Sequence, residues 1–91
     1  MINSDDAQLA AQVAQDDEDA FLTLYDRYAG YVYALTMRIL RDPNLAEEAT
    51  QDTFLKIINK IGDYNRTSPF KAWIFTVAYR TAIDYKRKQK I

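Results

Sequence analysis

The sequence predicts an all-α fold, a compact bundle of about four helices. Three observations carry that prediction. Apolar residues recur every three or four positions, as on one face of an α-helix, through most of the 91 residues. The alternating apolar–polar pattern of a half-buried strand is absent. The chain holds only two glycines and two prolines, and each sits at a plausible boundary or bend.

The elements follow in order. Ser4-Asp5-Asp6 caps a short N-terminal helix within residues 1–15 that carries Leu9, Ala10 and Val13. The acidic run Asp16-Asp17-Glu18-Asp19 opens a second helix, because carboxylates favour the positive end of the helix dipole. Phe21, Leu24, Tyr25, Tyr28, Tyr31, Val32, Leu35 and Ile39 recur at helical spacing along it, and Gly30 marks an expected bend. Asp42-Pro43 reads as a cap followed by proline in the first turn. The third helix then runs to about Ile61 and stops at Gly62. After the longest loop, GDYNRTSP, Ser68-Pro69 repeats the start signal and opens the last helix.

Composition narrows the function classes. Hydrophobic residues at 48% and charged residues at 27% describe a globular chain, of a length suited to one domain. Without cysteine there is no disulfide or thiolate metal site, and a reducing compartment fits. Without histidine the commonest general base and metal ligand are missing too. Glu47, Glu48 and Asp52 share a helix but fall on a solvated face, and Ser4 and Ser68 read as caps. The expectation is therefore a non-enzyme with no metal and no cofactor. No apolar run reaches membrane-spanning length and no signal-peptide pattern opens the chain, so a cytoplasmic location is expected.

The net charge of −1 hides an asymmetry. Residues 1–65 hold twelve carboxylates against five cations, a net −7, whereas residues 66–91 hold seven cations against Asp84 alone, a net +6. A basic segment on an acidic chain points to nucleic acid, although a basic last turn also complements a helix dipole. Lys71, Arg80, Lys86, Arg87, Lys88 and Lys90 accompany Trp73 and Tyr79, with Tyr64, Asn65 and Arg66 in the loop before them. Aromatic rings among cations suit single-stranded nucleic acid, the rings stacking on unpaired bases and the cations holding phosphates.

Two helical wheels refine this picture. On the third helix, Ala46, Thr50, Thr53, Phe54, Ile57 and Ile61 form the core side. Glu48, Gln51, Asp52, Leu55 and Asn59 lie opposite, so a leucine sits among acids and amides. That is either a solvated face or a small protein-binding patch with a polar rim, fit for a basic partner. On the last helix, Phe70, Ile74, Val77, Ala78 and Thr81 form one face. Ala72, Phe75, Tyr79, Ala82 and Ile83 lie on others, while Trp73 and Arg80 share a flank. Either this helix is surrounded by the other three or its aromatic surface meets a ligand.

The ordered segments FLTLYDRYAGYVYALTMRIL, LAEEATQDTFLKI and YNRTSPFKAWIFTVAYRTAIDY, followed by basic residues, resemble region 2 of bacterial sigma factors, above all the extracytoplasmic-function type. The match covers about residues 17–90, and its most specific parts are Ala46-Glu47-Glu48…Gln51-Asp52…Phe54 and Phe70-Lys71-Ala72-Trp73-Ile74. The resemblance implies a helical domain that starts transcription as part of RNA polymerase. Glu48, Gln51, Asp52, Leu55 and Ile58 would bind the coiled-coil clamp helices of the polymerase β′ subunit. A DNA-reading loop at 63–69, with Tyr64, Asn65, Arg66, Thr67 and Ser68, would capture a base flipped from the non-template strand of the minus-ten promoter element. In the basic helix at 70–90, Phe70, Lys71, Trp73 and Arg80 would support that pocket and the upstream duplex edge, and Lys86, Arg87, Lys88 and Lys90 would follow phosphates. An anti-sigma factor is a further partner implied by resemblance. Arg80 departs from the asparagine of many relatives of this type. The family's second, helix-turn-helix domain is not supplied by these residues, so the chain is expected to be the N-terminal domain of a longer protein. A helical protein-interaction module without DNA readout is the competing expectation.

Overall fold

A computed structural model describes residues 4–65 and 67–89, with side chains described from Asp6. Four helices follow one another: α1 (Ser4–Val13), α2 (Glu18–Leu40), α3 (Pro43–Lys60) and α4 (Phe70–Gln89), with a 3₁₀ turn at Ile61–Asp63 after α3. The described residues form no strand. The predicted all-α bundle is what forms.

The helix ends follow from local chemistry. Asp17 caps α2 by accepting from the Ala20 amide at 3.1 Å, and Asp42 caps α3 by accepting from the amides of Asn44 and Leu45. Each cap satisfies amides that would otherwise lack partners in the first turn. At the other end of α2, Arg41 turns left-handed with φ 55° and donates its amide to the Met37 carbonyl at 2.8 Å. A left-handed non-glycine residue costs roughly 1–2 kcal/mol, and that bond offsets part of it.

Two expected boundaries differ. Helix α2 runs unbroken through Gly30, because helix hydrogen bonding continues on both sides of an exposed position where nothing crowds the backbone. Gly62 does not adopt the left-handed cap conformation. Instead α3 tightens into the 3₁₀ turn, so Ile61 reaches the core.

Helices α2, α3 and α4 pack on one another, and α1 lies across α2 and the 3₁₀ turn. Leu24, Val32, Ile57 and Ile74 are sealed from solvent at the centre. Small residues let the helices approach: Ala46, Ala49, Ala78 and Ala82 are fully buried, and so are Thr36, Thr53 and Thr81. The buried hydroxyls are satisfied locally. Thr50 donates to the Ala46 carbonyl at 2.7 Å and Thr53 to the Ala49 carbonyl at 2.7 Å. Thr36 Oγ1 bridges the interface between α2 and α3, 3.1 Å from both Thr50 Oγ1 and the Ala46 carbonyl. A hydroxyl without such a partner would be strongly destabilising in this core.

Ala82 corrects the wheel of the last helix. It is buried beside Thr81 because α4 packs against α2 and α3 together, which widens the buried stripe. Helix α4 is not surrounded, however. Phe75 and Tyr79 stay 41% and 45% exposed, stacked on each other at 5.8 Å.

Candidate nucleic-acid interface

The loop between α3 and α4 is built by its own side chains. The Tyr64 amide donates to the Ile61 carbonyl at 3.1 Å, continuing the 3₁₀ turn. Asn65 Oδ1 accepts from both the amide and the hydroxyl of Thr67, at 3.0 and 2.7 Å, a side-chain turn that ties the two residues together. The Tyr64 hydroxyl donates to the Ser68 carbonyl at 2.7 Å. Pro69 then hands the chain to α4, its carbonyl accepting from the amides of Ala72 and Trp73.

An aromatic cluster supports the loop from below. Phe70 lies between Tyr28, Tyr64 and Trp73, with ring centroids at 6.0, 5.1 and 5.7 Å. Phe70 is only 3% exposed: it stands at the first turn of α4, packs into the core beneath its neighbours, and also lines the cleft beside the loop. Tyr64 and Trp73 are partly buried, each packed on that core with an edge open to solvent. Asn65, Thr67, Ser68, Lys71, Arg80, Lys86, Arg87 and Lys88 are exposed. Arg66 and Lys90, expected in the same surface, lie outside the described residues.

Beside the loop is an open cleft of about 600 Å³. One wall is Tyr64 and Thr67–Lys71, and the other is Asp6, Ala7 and Tyr28 from α1 and α2. Asp6 accepts from the Tyr28 hydroxyl and pairs with the Arg27 guanidinium, which ties α1 to α2. Burial, reinforced by the Asp6 carboxylate, pushes the Tyr28 phenol well above its ordinary value of 10. Lys71 stands at the same wall with Nζ 4.8 Å from the centroid of the Tyr31 ring, a cation–π contact.

The cations of α4 are not equivalent. Lys86 donates to the Ile39 carbonyl at 3.2 Å and so also caps the C-terminal end of α2. Arg87 lies 3.7 Å from Asp84, an exposed pair one turn apart. Among the described residues, Arg80 and Lys88 make no such contact.

The second expected surface lies on α3. Glu48, Gln51, Leu55, Ile58 and Asn59 are exposed, with Leu55 at 60% and Ile58 at 42%. Asp52 differs. It is half-buried, accepts a long 3.4 Å hydrogen bond from Tyr85 of α4 and lies 4.0 Å from Lys56. Burial and the nearby Asp52 and Glu48 charges raise the Tyr85 pKa. Ile58 borders a groove of about 350 Å³ whose other walls are Val13, Phe21 and the acidic corner Asp16–Glu18. Phe21 and that corner were missed as neighbours of this face, because only tertiary contact joins them to α3.

The family model of sigma-70 region 2 matches residues 24–91. The chain belongs to the sigma-70 region 2 family. The extracytoplasmic-function resemblance is borne out by curated relatives named ECF RNA polymerase sigma factor SigK. The protein of that name from Mycobacterium sp. strain KMS is 42% identical over 83 residues, which is 90% of this chain and 43% of the relative. Those from Mycobacterium ulcerans strain Agy99 and Mycobacterium tuberculosis strain H37Ra are 40% identical over 90 residues and 36% identical over 87. These cover 96% and 94% of this chain, and 48% and 46% of the relatives. The chain thus spans less than half the length of the relatives it matches. Among the described residues of this sigma region 2 domain, no helix is long and apolar enough to cross a membrane. None of their carboxylates group as a set of three fit to hold a metal ion.

Proposed function

We propose that this sigma region 2 domain docks on the β′ clamp helices of RNA polymerase through the α3 face and opens the minus-ten element by holding one flipped non-template base in the loop cleft. The observation that carries this reading is a pre-formed cleft with partly open rings at Tyr64 and Trp73, at the start of a helix whose last turn carries Lys86, Arg87 and Lys88. Flipping a base costs a few kcal/mol of stacking and pairing. Stacking of unpaired bases on aromatic rings returns about 1–3 kcal/mol each, and phosphate contacts add to it. Opening therefore needs no hydrolysis, only tighter binding of the open strand than of the duplex.

Fluorescence anisotropy with minus-ten non-template strands at two salt concentrations tests the reading. Binding depends on sequence and weakens with salt, and Trp73→Ala reduces it. Lys88→Ala lowers the salt slope by about 0.7, the share of one phosphate on a single strand. Equal affinity for scrambled strands would remove base readout. The exposed Leu55 and Ile58 favour the competing reading, a protein-interaction module alone, and that result would select it.

A further inference from the structure

We propose that Asp6 reads the captured base, its carboxylate accepting a hydrogen bond from the exocyclic amine of an amine-bearing base. The inference rests on the flipped-base reading above and adds its specificity.

Asp6 lines the same cleft as Thr67 and Ser68 of the loop. Its side chain is 16% exposed, so water competes weakly there. The carboxylate is held in place, Oδ1 by the Arg27 guanidinium and Oδ2 by the Tyr28 hydroxyl. Each oxygen has two acceptor sites, and these bonds use one of each. What the cleft offers at this point is thus a fixed acceptor of negative charge. It attracts the amine of adenine, cytosine or guanine and repels a keto oxygen of thymine or a phosphate. Lys71, on the same cleft, supplies the opposite charge for the backbone. The base is therefore drawn inward and the phosphate kept at the rim.

The test uses the 91-residue chain and thymine-tract single strands. The central position carries adenine, unsubstituted purine (adenine without its amine) or thymine, and affinity is read by fluorescence anisotropy at low salt. The adenine strand is expected to bind roughly tenfold tighter than the purine strand, the size of one charge-assisted hydrogen bond. Asp6→Ala brings that ratio to about one. The variant Leu9→Ala loosens the packing of α1 on the core but keeps the carboxylate, both its partners and the preference. Equal binding of adenine and purine strands by the native chain overturns the inference while leaving strand capture standing, and so does an undiminished ratio in Asp6→Ala. A native chain that binds none of the strands overturns the flipped-base reading and this inference with it.

Discussion

The Tyr64 hydroxyl donates a 2.7 Å hydrogen bond to the carbonyl of Ser68, so the loop that joins α3 to α4 is closed on itself before any ligand arrives. The same ring packs against Phe70 and Trp73. One residue thus couples the loop's shape to the rigid core.

Tyr64→Phe keeps the ring and removes that bond. A solvent-accessible hydrogen bond contributes about 1 kcal/mol. Affinity for a minus-ten strand should fall roughly fivefold, with little change in the circular dichroism spectrum. Titration of both proteins by anisotropy checks this. Unchanged affinity would mean that the loop is shaped by its ligand.

Leu55→Asp should abolish pull-down by the β′ clamp helices and leave the fold intact, because the side chain is largely exposed. It is a cleaner probe than Asp52→Lys, since Asp52 also accepts from Tyr85 of α4. Undiminished pull-down by Leu55→Asp would take the docking face off α3.

The core sets the scale of stability. Ile74→Ala empties a site sealed from solvent and should cost about 2–5 kcal/mol. Thr36→Val removes only the hydroxyl shared with Thr50 and Ala46 and should cost about 1 kcal/mol. Denaturant melts of the two variants give the order, and an equal loss in both would contradict the packing described.

Alkali should destabilise the fold from about pH 10 upward. Tyr28 and Tyr85 both hold their protons more tightly when folded than at the ordinary phenol value of 10. Their contribution is complete below that value. As pH rises past it the unfolded chain releases protons the folded one keeps, so folding weakens. Tyr28→Phe and Tyr85→Phe should each flatten the decline in denaturant melts between pH 9 and 11.

Much of the fold was legible because its signals are local. The Asp17 and Asp42 caps and the spacing of Leu24, Tyr28 and Val32 need only neighbouring residues. Exposure of Leu55 followed from the wheel of one helix. What escaped depends on contacts distant in sequence. Asp6 read as a cap, yet its carboxylate bonds Tyr28 and lines the cleft. Phe70 was assigned to the pocket by resemblance alone, and its packing among the rings of Tyr28, Tyr64 and Trp73 was not legible. The stop near Gly62 was legible, but not that Ile61–Asp63 would tighten into a 3₁₀ turn with Ile61 buried.

The most direct measurement maps backbone amide shifts by NMR while a minus-ten non-template strand is titrated into the chain. The account predicts the largest changes at Tyr64, Thr67, Ser68, Lys71 and Trp73, with Glu48 to Ile58 on α3 unmoved. Shifts confined to α3, with the loop and the start of α4 silent, would contradict it.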